Sequence, residues 1–183
     1  MRVIAGTARG IRLEKPKGLH VRPTLDRARE SLFNILAPRL PSARFLDLFA
    51  GTGANGIEAL SRGAAKAVFV DNSPQALQVI ARNLIATQLS QKAVVKWLHL
   101  PRELSRVEED GLPYHIVFAD PPYRFSDYEE LVVRLESLQL IAEDGLLVIE
   151  HAARRALPDR LGRLACQRTS TFGEACLSFF LTP

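Results

Sequence analysis

The 183-residue chain is 47% hydrophobic and 24% charged, the proportions of one compact soluble domain, which exclude a disordered or fibrous class. No run of eighteen apolar residues occurs, and Arg9 and Arg12 arrive before a signal-peptide core could form, so the expectation is an uncleaved cytoplasmic protein with no membrane partner. The formal net charge of +4 is unevenly spread: through Arg44 ten Lys/Arg stand against three Asp/Glu, while the remainder carries 14 against 17. Such a cationic end suits a polyanion, because each neutralised phosphate releases counterions; a solvated arm is the bland alternative.

In chain order, Val3 to Gly6 and Ile11 to Glu14 suit a small hairpin that presents Arg2, Arg9 and Arg12. Residues 15–23 read as a loop. Thr24 is a good N-cap for a helix with Leu25, Ala28, Leu32, Ile35 and Leu36 on one face, ended by Pro38 and Pro41. From Arg44, apolar strand runs alternate with amphipathic helices: Phe45 to Phe49, a helix from about Ala54 to Arg62, Ala67 to Asp71, then a helix capped by Ser73 with Pro74 in its first turn. Ala93 to Leu98 and His115 to Ala119 are further strands, Ser126 or Asp127 caps a helix to about Leu138, and Gly145 to Glu150 is a fifth strand. Extended runs on either side of Phe172-Gly173-Glu174 predict a closing antiparallel pair. The alternation predicts a parallel sheet with helical crossovers, in one domain: a basic extension over residues 1–23 and a core over 24–183.

Asp47-Leu48-Phe49-Ala50-Gly51-Thr52-Gly53-Ala54-Asn55-Gly56 runs from strand into glycine turn into helix, where Gly51 and Gly53 let backbone approach a ligand. Gly51, Gly53 and Gly56 also satisfy the dinucleotide fingerprint, with Asp71 twenty residues after Gly51 at the next strand end, so an NAD-dependent oxidoreductase competes. Asp47 favours S-adenosylmethionine (SAM), because a carboxylate at the turn attracts a cationic amino acid moiety and repels pyrophosphate. In the competing view Asp47 merely bonds backbone in the turn.

Ile116-Val117-Phe118-Ala119 ends in Asp120-Pro121-Pro122-Tyr123, beside the first strand's ligand crevice. An exocyclic amine on a base is a poor nucleophile because its lone pair is delocalised into the ring. Hydrogen bonds from that amine to the Asp120 carboxylate and the Pro121 carbonyl would hold the nitrogen in an attacking form. Pro121 and Pro122 stiffen the turn, and Tyr123 offers a face for stacking an extruded base. The alternative is a rigid loop with Asp120 as a cap and Tyr123 packed as an ordinary aromatic.

Taken together, Met1-Arg2-Val3-Ile4-Ala5-Gly6, the segment from Arg22-Pro23-Thr24 to Asn34, the Asp47 to Gly53 turn, Glu58 to Ala64 and the Asp120 to Tyr123 tetrapeptide resemble the class I SAM-dependent methyltransferases. Within them, the chain is similar to the RsmD-type 16S ribosomal RNA guanine-N2 methyltransferases over nearly its whole length. The tetrapeptide is shared by many amino-methylating enzymes; the Arg22 to Asn34 segment is the specific part. The resemblance implies a Rossmann-like α/β fold, with a mostly parallel seven-stranded sheet and helices on both faces. It implies a monomer that methylates N2 of one guanine in 16S rRNA, on an assembled or partly assembled small-subunit particle. By position it implies Asp47, Gly51 and Gly53 at the methionine side of SAM, Asp71 and Asn72 at its ribose side, and Thr24 closing over the cofactor or serving as an N-cap. Arg2, Arg9, Arg12 and Arg22 are the implied RNA contacts. The chain departs from the pattern at Asn55, at Trp97-Leu98-His99-Leu100-Pro101, which lacks an acid or amide for the adenine amine, and at Phe172-Gly173-Glu174-Ala175.

Cys166 and Cys176 have no metal-ligand spacing and read as buried small hydrophobes, and no metal is expected. His99, His115 and His151 have no ligand spacing either, His20 in the basic segment reads as an exposed loop residue with an RNA-facing role as the alternative, Trp97 reads as a core or pocket wall, and Arg154 and Arg155 read as a solvated face. Two further function classes stand beside the first: another amino methyltransferase, acting on DNA adenine or cytosine or on a protein amide, and a non-methylating NAD enzyme or RNA-binding module. SAM binding without NAD binding separates the last from the others.

Overall fold

The computed structural model describes residues 1–15, 23–110, 113–122 and 124–182, with the side chains of residues 23–26 and 108–110 left aside. Five strands form the parallel part of the sheet: β1 (Arg44–Leu48), β2 (Lys66–Asp71), β3 (Ala93–Trp97), β4 (Tyr114–Ala119) and β5 (Ile141–Ala152). Three antiparallel strands, β6 (Arg160–Leu161), β7 (Leu164–Phe172) and β8 (Ala175–Leu181), complete the order β3-β2-β1-β4-β5-β8-β7-β6. The antiparallel closing pair is where the Phe172-Gly173-Glu174 turn predicts it. The sheet has eight strands rather than the expected seven, because Arg160–Leu161 adds a two-residue edge against Leu164 and Ala165.

Helices α1 (Pro23–Leu36), α2 (Ala54–Ser61) and α3 (Pro74–Ala86) cover one face through Leu32, Phe33, Leu36, Ile57, Leu60, Ile80 and Leu84. Helix α4 (Tyr128–Ser137) covers the other through Leu131, Val132 and Leu135, beside Leu104 and Val107 of a 3-10 segment. Near-continuous burial of β1, β2 and β4 follows from this double cover. Because β1 lies between β2 and β4, the chain winds away from it in both directions. That arrangement opens a crevice beyond the carboxyl ends of β1 and β4.

Two sequence expectations are corrected. Helix α1 begins at Pro23, which puts Thr24 inside its first turn rather than at the N-cap; proline's fixed φ and missing N–H suit the first helical position. The N-terminal hairpin is reduced to a single Arg2↔Arg12 bridge with a few backbone bonds around it. Its remaining donors find side chains on the helices instead: Ile4 and Ala5 N–H donate to Glu58, Ala8 N–H to Ser61 Oγ, and Glu14 N–H to Asn83 Oδ1. With Val3, Ala8 and Leu13 buried in the core, residues 1–15 are part of the domain and not an appended arm.

Candidate active site

At the end of β1 the chain turns sharply. Phe49 takes φ 59° and Gly51 φ 55°, and Gly53 caps α2 at φ 73°. The left-handed Phe49 breaks the strand alternation and sends its ring toward Phe125, at 5.3 Å. A Cβ on Gly51 would meet only Phe49 O, at 4.0 Å, so its outer side is open for a ligand. Gly53 differs: a Cβ there would come within 3.1 Å of Ile80, so close packing demands that glycine.

Carboxylates hold this turn. Gly56 N–H donates to Asp47 Oδ2 at 2.9 Å, Gly51 N–H to Asp71 Oδ2 at 2.8 Å, and Ser73 N–H to Asp71 Oδ1 at 2.8 Å. Asp47 is 1% exposed. Burial pushes its carboxyl well above the ordinary aspartate value despite the Gly56 bond, and the charges of Asp120 and Asp71 add to the rise. Each Asp71 oxygen accepts one backbone bond and retains a lone pair, so the pair of oxygens can still receive two vicinal hydroxyls. Asn72 is exposed beside it, and its carbonyl accepts the indole N–H of Trp97 at 3.0 Å.

The β4 end continues the ladder, with Asp120 N–H donating to Leu48 O at 3.3 Å. Asp120 is enclosed by protein on most sides yet keeps an exposed face toward the crevice. The enclosure raises its carboxyl from the ordinary aspartate value to about 7. Pro121 is buried, Pro122 is exposed, and Phe125 N–H closes the turn onto Pro122 O at 2.7 Å. Phe125 meets Tyr128 edge to face at 5.1 Å.

Arg155, expected on a solvated face, instead clamps this loop. Its Nη1 donates to Phe125 O at 2.6 Å, its Nη2 to Ser126 O at 3.4 Å, and its guanidinium lies 4.8 Å from the Tyr128 ring centre. Burial raises the Tyr128 hydroxyl's pKa, Arg155 opposes that rise, and Asp120 adds to it.

Register brings these acids into line. The pairs Leu48↔Val70, Leu48↔Ala119 and Ala119↔Ile149 place three acids at one level: Asp71 ending β2, Asp120 just past β4 and Glu150 two residues before the end of β5. Alternation from Phe69, Phe118 and Val148, all on the α1–α3 face, directs the three to that face as well. Asp47 lies two residues below on the same face of β1. The crevice wall is therefore lined with carboxyl groups, which favours a cationic ligand and amine donors over a pyrophosphate. Among the described residues no group of three His, Cys, Asp or Glu is placed to hold a metal ion.

Arg2, Arg9 and Arg12 are exposed, with Arg2 and Arg12 paired across their bridge and Arg2 Nη1 donating to Gly10 O. Beside them a depression of about 390 Å³ is lined by Met1, Arg2, Val3, Ile4, Arg27, Arg29 and Glu30. The expectations for Arg22 and Tyr123, and for the Thr24 side chain, lie outside the described residues.

Three residues around the crevice escape the sequence reading. Asn83 is 1% exposed and joins the N-terminal segment to the glycine turn, donating to Glu14 O at 3.1 Å and Thr52 O at 2.9 Å. Its signal is an amide on the apolar stripe, three residues after Ile80. Glu150 carries the signal used for Asp47 and Asp120, an acid ending an apolar run; Arg155 carries none. Trp97, read as a wall, is 58% exposed. His151 is buried in β5 with Nε2 2.8 Å from Ser178 Oγ, and Cys166 is only half-buried.

A family model described as "Conserved hypothetical protein 95" matches residues 1–181. The chain is 38% identical over 173 residues to the Bacillus subtilis (strain 168) protein "Putative rRNA methyltransferase YlbH", covering 94% of each. It is 35% identical over 180 residues to "Ribosomal RNA small subunit methyltransferase D" of Escherichia coli (strain K12), covering 98% of this chain and 89% of that one. The solved structure described as "Putative methyltransferase yhhF from Escherichia coli" matches with a TM-score of 0.85 at 37% identity, covering all of this chain and 97% of that one.

Proposed function

The chain belongs to the conserved hypothetical protein 95 family, and from that premise we propose that it transfers the methyl group of SAM to the exocyclic N2 amine of a guanine in 16S rRNA. The observation that carries the reading is the placement of Asp120 and the proline turn beside a carboxyl-lined crevice wall, in a chain so similar to ribosomal RNA methyltransferases. A dinucleotide would bring its pyrophosphate toward Asp47 at the glycine turn, which disfavours the NAD reading.

SAM supplies an electrophilic methyl on a sulfonium. Gly51 would leave room for its approach, Asp71 would accept its ribose hydroxyls, and Asp47 would hold the turn through Gly56 N–H beneath the cationic end. Asn72 lines the ribose side, and Thr24 stands in the first turn of α1 as a candidate closing residue. At β4, the Asp120 carboxylate and Pro121 carbonyl accept the two N2–H bonds, turning the nitrogen lone pair toward the methyl. Bound SAM would supply the methyl to that nitrogen and leave as the neutral thioether, and one N2 proton would pass through Asp120 to water. The raised Asp120 carboxyl suits that transient acceptance. Pro122 stiffens the turn, and Tyr123 stacks on the extruded base.

Arg2, Arg9, Arg12 and Arg22 meet RNA phosphates in this reading, with a small-subunit particle as substrate and a monomeric enzyme. No helix among the described residues is long and apolar enough to cross a membrane, and the reading places the protein in the cytoplasm with its substrate. The test is labelled-methyl transfer from SAM to small-subunit particles lacking the modification, with deproteinised RNA and duplex DNA alongside and the product nucleoside identified by mass. N2-methylguanosine on the particle is expected; label on DNA or protein would replace this reading with another amino methyltransferase.

A further inference from the structure

Glu150 lies one step beyond the Ala119↔Ile149 pair, level with Asp120 on the adjacent strand. Leu146 and Val148 share the core face of Ile116 and Phe118, so alternation points Glu150 and Asp120 to the same side. Neighbouring strands are about 4.8 Å apart, which leaves the two carboxyl groups side by side at one end of the crevice. Burial raises the Glu150 carboxyl, and the nearby Asp120 charge adds to that rise. Among the described residues no donor is paired with the Glu150 carboxylate. Two carboxylates facing the same space are eased by a ligand that offers several N–H donors in a row.

The amino bases differ in what flanks the amine. In guanine the N2 amine adjoins N1–H, another donor. In adenine the N6 amine lies between the acceptors N1 and N7, and in cytosine the N4 amine adjoins the acceptor N3. A carboxylate beside the amine-holding Asp120 would therefore meet a donor in guanine and a lone pair in the other two.

We infer that Glu150 is a specificity-determining residue, which accepts the N1–H of the target guanine while Asp120 and Pro121 hold its N2 amine. This rests on the guanine reading above and extends it to the choice of base. It also gives a role to the acid at the end of β5, which the transfer step does not use.

The test replaces the target guanosine by 2-aminopurine in a reconstituted particle, which keeps the 2-amine but turns N1 into an acceptor. The wild-type enzyme should favour guanosine by about a hundredfold in kcat/KM. Glu150→Gln is nearly isosteric and carries an amide donor for the 2-aminopurine N1. It should lose about ten- to a hundredfold on guanosine and bring the two substrates within about threefold of each other, at unchanged SAM affinity. Glu150→Asp, which keeps the charge, should retain the guanosine preference at a reduced rate. Equal losses on both bases in Glu150→Gln, or a retained wild-type preference, would overturn the inference while leaving the transferase reading intact. A wild-type enzyme that forms no N2-methylguanosine on the guanosine particle would instead remove the premise, and the inference with it.

Discussion

The glycine turn after β1 and the proline turn after β4 stand at the ends of neighbouring strands, yet different groups hold them. In the glycine turn, backbone N–H groups of Gly51, Gly56 and Ser73 donate into the carboxylates of Asp47 and Asp71. Donor and acceptor both belong to the strand-turn-helix unit and its neighbour, and the fold fixes their geometry. In the proline turn, one long side chain from beyond β5, Arg155, supplies donors to Phe125 and Ser126 and covers Tyr128. A guanidinium on a flexible stem loses rotamer freedom to make those bonds, so this half of the crevice is ordered at a cost that the glycine turn avoids. The glycine turn is held locally, and the proline turn is set from a distance.

The largest expected contrast comes from the two acids nearest the chemistry. Asp120→Ala should cut transfer by about a thousandfold or more, while SAM affinity measured by calorimetry stays within about threefold. Retained turnover would show that the proline turn does not hold the amine. Asp71→Ala should act on the other half, weakening SAM binding about tenfold or more and lowering the melting temperature. It strands the Gly51 and Ser73 donors at about 1–3 kcal/mol for each that water does not reach. Unchanged SAM affinity would remove Asp71 from the cofactor half.

Arg155→Ala should reduce kcat/KM by about ten- to a hundredfold with SAM binding intact, because a shift of about 1 Å in the base loop is costly to transfer. Arg155→Lys should recover only part of the loss, since an ammonium cannot hold two carbonyls and cover a ring as the planar fork does. An equal loss of SAM affinity would mean that the two halves are coupled through this residue.

Asp47 gives a smaller, pH-dependent effect. Its folded-state pKa is raised, so its contribution to stability is fully present below the ordinary aspartate range and is lost as pH rises through the raised value. Asp47→Asn keeps an acceptor for Gly56 without the buried charge. The melting temperature of this variant relative to wild type should therefore climb as pH rises above that range, in the unliganded protein. A pH-independent difference would show that the buried charge is not what limits the turn. The smallest effect belongs to the N-terminal surface: Arg9→Gln with Arg12→Gln should leave stability unchanged and reduce the salt slope of particle binding by about 1.4, roughly 0.7 for each phosphate left without its arginine. A salt-independent loss would trace to folding instead.

Much of the crevice is legible before any tertiary structure. Asp47, Asp71 and Asp120 each end or interrupt an apolar strand run, and glycines or prolines follow two of them, so local chemistry marks them. Ser73 caps α3 as read, its Oγ accepting Ala76 N–H at 3.3 Å. Pro23 is equally legible as a first helical residue, and a reading of Thr24 as the cap passes over it. The hairpin is present but shortened for a different reason: donors that a longer ladder would use are taken by Glu58, Ser61 and Asn83, which lie fifty to seventy residues away.

What the sequence by itself determined is the order of strands and helices and the chemistry at three strand ends, because periodicity, turn residues and strand-end acids act over a few neighbours. What only the tertiary structure decided is which strand ends stand together. Glu150 reaches Asp120 through the register of β4 on β5, Asn83 ties the N-terminal segment to the glycine turn, and Arg155 grips a loop thirty residues before it. Those contacts arise from sheet pairing and side-chain packing between distant segments, and no local pattern encodes the partner of a strand or of a buried side chain.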